Sequence, residues 1–207
     1  MPGSHGSGCG CREEDSGPTG GHWLHSSIDH ESVVSAGGST PGSARLLFRA
    51  YEERLDDDRF IESADEDDAE LIISVSFTSP TKLTAVSVIG GVNGSIPMKL
   101  CLFANAHVGD FSVVHDSEPT QAIELAEDFC GSVEYPLRVA KFSQVLTLML
   151  HFPAVVDGQK LRIHWIGLKG VASGDKRQAV VAVYEAKPNL ADHKTKSDPL
   201  KNNMHVS

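Results

Sequence analysis

His151 and His164 flank an Asp157-Gly158 dipeptide, and that spacing raises the question of metal chemistry. Asp-Gly between β-patterned runs is a strong signal for a two-residue hairpin turn. In that register Val156 faces Gln159, Leu150 faces Trp165, and His151 stands directly across from His164. Two cross-strand imidazoles hold a transition metal only when a third ligand joins them. No third ligand is visible, and Pro153 cannot donate to such a ladder. The expectation is a surface pair, or one packed and one wet histidine, with no cofactor.

Asp65, Glu66, Asp67 and Asp68 form a second set, bracketed by Glu62 and Glu70. Calcium wants about six to eight converging oxygens. Consecutive carboxylates on an extended chain point to opposite faces. A solvated acidic edge, or a docking strip for a basic partner, is the expected role. A third set is His5, Cys9, Cys11 and His22. It could catch a soft metal but lacks the paired spacing of a structural zinc site, so a solvated tail is expected. His193 and His205 are candidate partner contacts, because Met204-His205-Val206-Ser207 could dock as a linear peptide. Gly90-Gly91-Val92-Asn93-Gly94 fits neither a dinucleotide fingerprint nor a P-loop and reads as a turn. No serine sits in Gly-x-Ser-x-Gly, and no nucleophile–base–acid set emerges, so no catalytic residue is nominated.

The elements that must position these residues read as strands. Leu71, Ile73, Val75 and Phe77 share one face, with Ser74 and Ser76 on the other. Period two marks a half-buried strand. Lys82–Ile89 is a second β-patterned run, and Ser79-Pro80 predicts a turn between the two. Further strands are expected at Met98–Ala104, Phe111–His115, Gln121–Leu125, Leu137–Phe142, Val145–Phe152, Lys160–Leu168 and Ala179–Tyr184. Residues 22–36 are loosely helical in spacing, with Asp29 as a cap. Residues 44–60 should form an irregular cover over one end of the sheets. Many short strands and no long amphipathic helix predict an all-β fold, a β-sandwich or jelly roll. The expected division is a disordered tail at 1–21, a folded domain at 22–190 and a flexible tail at 191–207.

Composition narrows the partners. The 207 residues carry a net charge of −10. Such a surface is poorly suited to nucleic acid or to an anionic membrane. It suits a basic patch on a protein. No stretch reaches the ~18 consecutive apolar residues of a membrane span. No secretory signal is evident. Four scattered cysteines do not make a disulfide scaffold, so the cytoplasm, and also the nucleus, is the expected compartment, and a monomer the expected state.

Several stretches resemble the PITH domain, the C-terminal module of proteasome-associated thioredoxin-like proteins. They are Phe60-Ile61-Glu62-Ser63 with the acids that follow and Leu71-Ile72, then Ser117 through Leu125. Pro136-Leu137-Arg138 with Lys141-Phe142, and Ile166-Gly167-Leu168 with Gly170, complete the set. The His/Gly/Cys N-terminus, Tyr184-Glu185-Ala186 and Ala191-Asp192-His193 resemble the stand-alone branch of that family. The resemblance implies a galactose-binding-like jelly roll. It also implies a non-enzymatic interaction module that associates with the 26S proteasome regulatory particle. A small-ligand or glycan-binding module is the alternative. Redox activity is not implied, since no Cys-x-x-Cys occurs and dithiol exchange needs a paired thiolate.

Overall fold

The computed structural model describes residues 19–65, 69–91, 95–107, 110–153 and 160–174. All lie within the first of two compact units, residues 1–176; the second is residues 177–207. The described strands are β1 (His22–Trp23), β2 (Ile28–Ala36), β3 (Ile61–Glu62), β4 (Leu71–Gly90) and β5 (Lys99–Ala104). They continue with β6 (Gln121–Glu124), β7 (Tyr135–Pro136), β8 (Val145–Phe152) and β9 (Arg162–Ala172). One short helix, α1 (Val113–Asp116), lies between β5 and β6. The strands pair antiparallel in the order β1-β9-β4-β8-β5-β6, with β2 and β7 also on β4 and β3 on β9.

The two strands expected at Leu71–Phe77 and Lys82–Ile89 are one 20-residue strand. Ser79-Pro80 does not turn the chain back. It falls where the β4–β8 register shifts, between Ser76 and Thr81. Proline is tolerated at such an irregularity because no ladder bond is asked of it. The first half of β4 pairs with β2 and β8, the second half with β9 and β7. One strand thus serves both walls of the curled sheet. A second shift, between Leu83 and Ala85, changes which parity faces inward. Leu71, Ile73 and Val75 point to the core before it, Val86 and Val88 after it. A bulge does this by adding one unpaired residue. Leu148, Leu150 and Phe152 of β8 and Ile163, Ile166 and Leu168 of β9 close the same core. Each fully buried side chain of this kind contributes roughly 1.5–3 kcal/mol.

Three other expectations change. Residues 22–36 are β1, a 3-10 turn at His25–Ser27 and β2, not a helix. Asp29 organises a strand irregularity, its carboxylate accepting from the Glu31 amide. Phe111–His115 is a turn leading into α1, because Phe111 and Val114, three apart, both pack on Ile72, Cys101, Phe103 and Met149. Leu137–Phe142 is irregular beyond β7, its amides held by turn bonds such as Lys141 to the Arg138 carbonyl. Residues 44–60 do contain the expected irregular cover, two 3-10 turns at Ser43–Leu47 and Tyr51–Glu53. The expected strand at Ala179–Tyr184 lies outside the described residues.

Candidate interaction surface

The predicted facing of His151 and His164 is not formed. β8 and β9 pair with different halves of β4, so His151 lies beside Ile72 and Cys101, while Trp165 lies beside Ile89. Asp157-Gly158 lies outside the described residues, and an intervening strand replaces the hairpin. His151 instead shares a 2.6 Å hydrogen bond with Glu70, whose other oxygen is 3.6 Å from His115. His164 packs against the Phe60 ring. Among the described residues no three His, Cys, Asp or Glu side chains are placed to hold a metal ion. Of the acidic run, Asp65 is described, its carbonyl accepting from the Ser63 hydroxyl. Glu66, Asp67, Asp68, His193 and His205 lie outside the described residues. So does the expected tail up to residue 18, whereas Thr19 is bonded to Glu134.

Both strand histidines titrate below the ordinary value of 6.5. Burial is the larger cause for each. Glu70 partly offsets it at His151, and Asp57 does so at His164. Such a group stabilises the fold above its unfolded pKa and loses that contribution as pH falls through the lower folded value. The thermal midpoint should therefore drop on acidification below about pH 6.5. His164→Gln should flatten part of that slope; an unchanged slope would exclude His164 as a source.

A different region gathers polar chemistry at one end of the sheets, and the sequence did not single it out. Arg49 is buried, and its guanidinium donates to the carbonyls of Leu46, Glu53, Asp56, Arg59 and His164 at 2.5–3.3 Å. Its own carbonyl accepts from the indole N–H of Trp165, which is fully buried. One side chain thus closes the whole 46–59 excursion onto β9. Desolvation lowers the Arg49 pKa, with Asp56 opposing it.

Beside this hub stands a column of rings and cations. Trp23 and Tyr51 stack at 4.8 Å and 12°. Trp23 also meets the edge of Trp165. The Arg54 guanidinium lies 3.8 Å from the Tyr51 ring centre, and Lys169 Nζ lies 4.6 Å from that of Trp23. A guanidinium cannot fit between rings 4.8 Å apart, so Arg54 covers the outer face of Tyr51. Lys169 is buried, and Glu134 accepts from its Nζ at 2.5 Å. Gly167 lets the indoles approach, since a Cβ there would come within 2.1 Å of Trp165 and 2.6 Å of Trp23.

Arg54 Nε donates to the Cys130 carbonyl at 2.8 Å, tying the column to the 127–134 loop. That loop is wound around the buried Asp128 carboxylate, which accepts from the amides of Cys130, Gly131 and Val133. Burial would raise the Asp128 pKa, but these hydrogen bonds together bring it below the ordinary value. Gly131 takes the positive φ, +69°, that the loop requires. Leu55 follows Arg54 in sequence and Phe129 precedes Cys130, and the two are 54% and 52% exposed. An open groove of about 410 Å³ beside the column is lined by Trp23, His25, Ser26, Ala50, Tyr51 and Glu52.

The family profile described as the PITH domain matches residues 14–188. The chain belongs to the PITH domain family. Its relatives in that family include PITH domain-containing protein 1 of Xenopus laevis, 37% identical over 195 residues and covering 92% of each chain. The human protein of the same name is 33% identical over 197 residues, again with 92% of each covered. The PITH chain also has the fold of carbohydrate-binding domains of very different sequence. The paired CBM32 domains of Clostridium perfringens ZmpB, solved with GalNAc, give a TM-score of 0.50 at 16% identity. That match covers 71% of this chain and 35% of the other, so this chain spans about a third of that structure. A striped bass fucolectin gives 0.50 at 6% identity, covering 74% and 52%. The fold is therefore the galactose-binding-like jelly roll that the family resemblance implies.

Proposed function

We propose that this PITH domain is a non-enzymatic interaction module that binds the 26S proteasome regulatory particle as a monomer, in the cytoplasm or nucleus. The observation that carries it is the ring-and-cation column, which holds exposed Leu55 and Phe129 on a braced end of the sheets. Exposed apolar groups held rigidly before contact lose little entropy on binding, which favours macromolecular recognition. Resemblance to the module of proteasome-associated thioredoxin-like proteins supports the choice of partner.

The same column weighs against a glycan site. Sugars dock on free aromatic faces, and here Trp23 stacks on Tyr51 while Arg54 and Lys169 take further ring contacts. The groove therefore offers ring edges. Purified full-length chain should co-sediment with purified regulatory particle at low salt. Failure to do so across micromolar concentrations would remove the proposal.

A further inference from the structure

We propose that α1 is an acid-released latch: Glu70 ties it to the sheet through His115 and His151, and a proton on His151 frees it. The latch is independent of the binding role above, and its test needs no partner. α1 has four residues, too few to be stable alone. It is held by an apolar cluster separate from the main core. Phe111, Val113 and Val114 pack with Ile72 of β4, Cys101 and Phe103 of β5 and Met149 of β8. Ser74 pairs with Met149 on that sheet face, and its buried hydroxyl has no hydrogen-bond partner among the described residues. An unpaired buried hydroxyl makes such packing weaker. Glu70, immediately before β4, adds the polar tie. His151 Nε2 donates to one of its oxygens at 2.6 Å, and Nε2 of His115, on α1, lies 3.6 Å from the other. The two imidazoles meet edge to face with centres 6.1 Å apart. His115 is 60% exposed and His151 11%.

The groups facing His151 come from three elements. Burial opposes its imidazolium most, Glu70 favours it, and His115 on α1 and Lys99 on β5 oppose it. Cys101, directly across on β5, stays a neutral thiol because burial pushes its pKa up. Once both rings are protonated, one carboxylate faces three cations: His115, His151 and Lys99. Lifting α1 carries His115 away and admits water, and both changes favour a proton on His151. A form that binds the proton more tightly gains population as pH falls. The latch is therefore closed at neutral pH and opens as pH falls through the value of buried His151, which lies below 6.5. Opening bares Ile72, Phe103 and Met149 on the outer face of the sheet.

Amide exchange of the full chain, resolved by residue and corrected for intrinsic rate, reads the latch. The amides of His115, Asp116 and Ser117 donate to the carbonyls of Ser112 and Val113. Their protection should fall about tenfold between about pH 7.5 and pH 5, the effect of one unit of pKa difference between closed and open forms. The amides of β8 should keep theirs. His151→Gln retains a donor for Glu70 but cannot titrate, so it should abolish the fall. His115→Gln, at an exposed position, removes one of the three cations and should shrink it. A second readout uses Cys9→Ser/Cys11→Ser/Cys130→Ser, which leaves Cys101. Relative to free cysteine, that thiol should react faster with dipyridyl disulfide in acid than at neutral pH. Unchanged α1 protection in acid, or an equal fall in both histidine variants, would overturn the latch. Loss of β8 protection in step with α1 would overturn it too, because the opening would then be global.

Discussion

Arg49→Met should lower the thermal midpoint by about 10–15 °C. Methionine retains most of the aliphatic volume, so the loss isolates the hydrogen bonds. Five carbonyls share this guanidinium, and three of them belong to residues 53–59. Buried acceptors left without a donor each cost about 1–3 kcal/mol. Water can reach some of them once the excursion loosens, so a net loss of about 4 kcal/mol is expected. For a domain of this size each kcal/mol moves the midpoint by roughly 2–4 °C. Arg49→Lys should fall in between, since an ammonium cannot fork to carbonyls on several sides. Denaturant melts read through tryptophan fluorescence check this. An Arg49→Met domain within about 1 kcal/mol of the unaltered one would show that the excursion is held by packing alone.

Glu134→Ala should cost about 3 kcal/mol, and the companion Lys169→Met much less. Lys169 has no exposed side-chain surface, whereas Glu134 retains 15% of its own. Removing the carboxylate takes the Glu134 charge away from a buried ammonium, and that is the costly half of a buried pair. Removing the ammonium leaves an acid that reaches water and keeps Thr19 as a donor. Replacing both by apolar groups is commonly near neutral. The double variant Glu134→Leu/Lys169→Met should therefore be more stable than Glu134→Ala alone. Equal losses from the two single variants would mean that the pair is not buried in solution.

The sheet was legible because side-chain alternation reports it locally. Val145–Phe152 has the bounds read from its pattern, and the start of β4 is where Leu71 begins the alternation. Register was not legible. Asp157-Gly158 suggests a local hairpin, but β8 and β9 each gain more by pairing with an almost unbroken apolar β4. Pro80 reads as a break, yet a long strand absorbs it at a shift. The braced end was missed for a related reason. Arg49 and Lys169 look like ordinary surface cations, and only the fold shows them buried. A lysine within the apolar run Ile166-Gly167-Leu168-Lys169-Gly170 was the available hint, since a strand buried on both sides rarely spends a position on charge. The acidic set stood out by composition, which carries no information about convergence, and the histidine pair stood out by a hairpin register that the sheet does not form.

The length of β4 has a consequence for synthesis. Neither wall can be completed by neighbours in sequence: the first half of the strand waits for β8, and the second for β9, which ends at Ala172. Nearly the whole domain must leave the ribosome before its central ribbon is covered on both flanks. Until then a long apolar edge is open to mispairing, and contacts of such large sequence separation close slowly. Truncation anywhere before β9 should therefore yield aggregating chains rather than a smaller stable fragment.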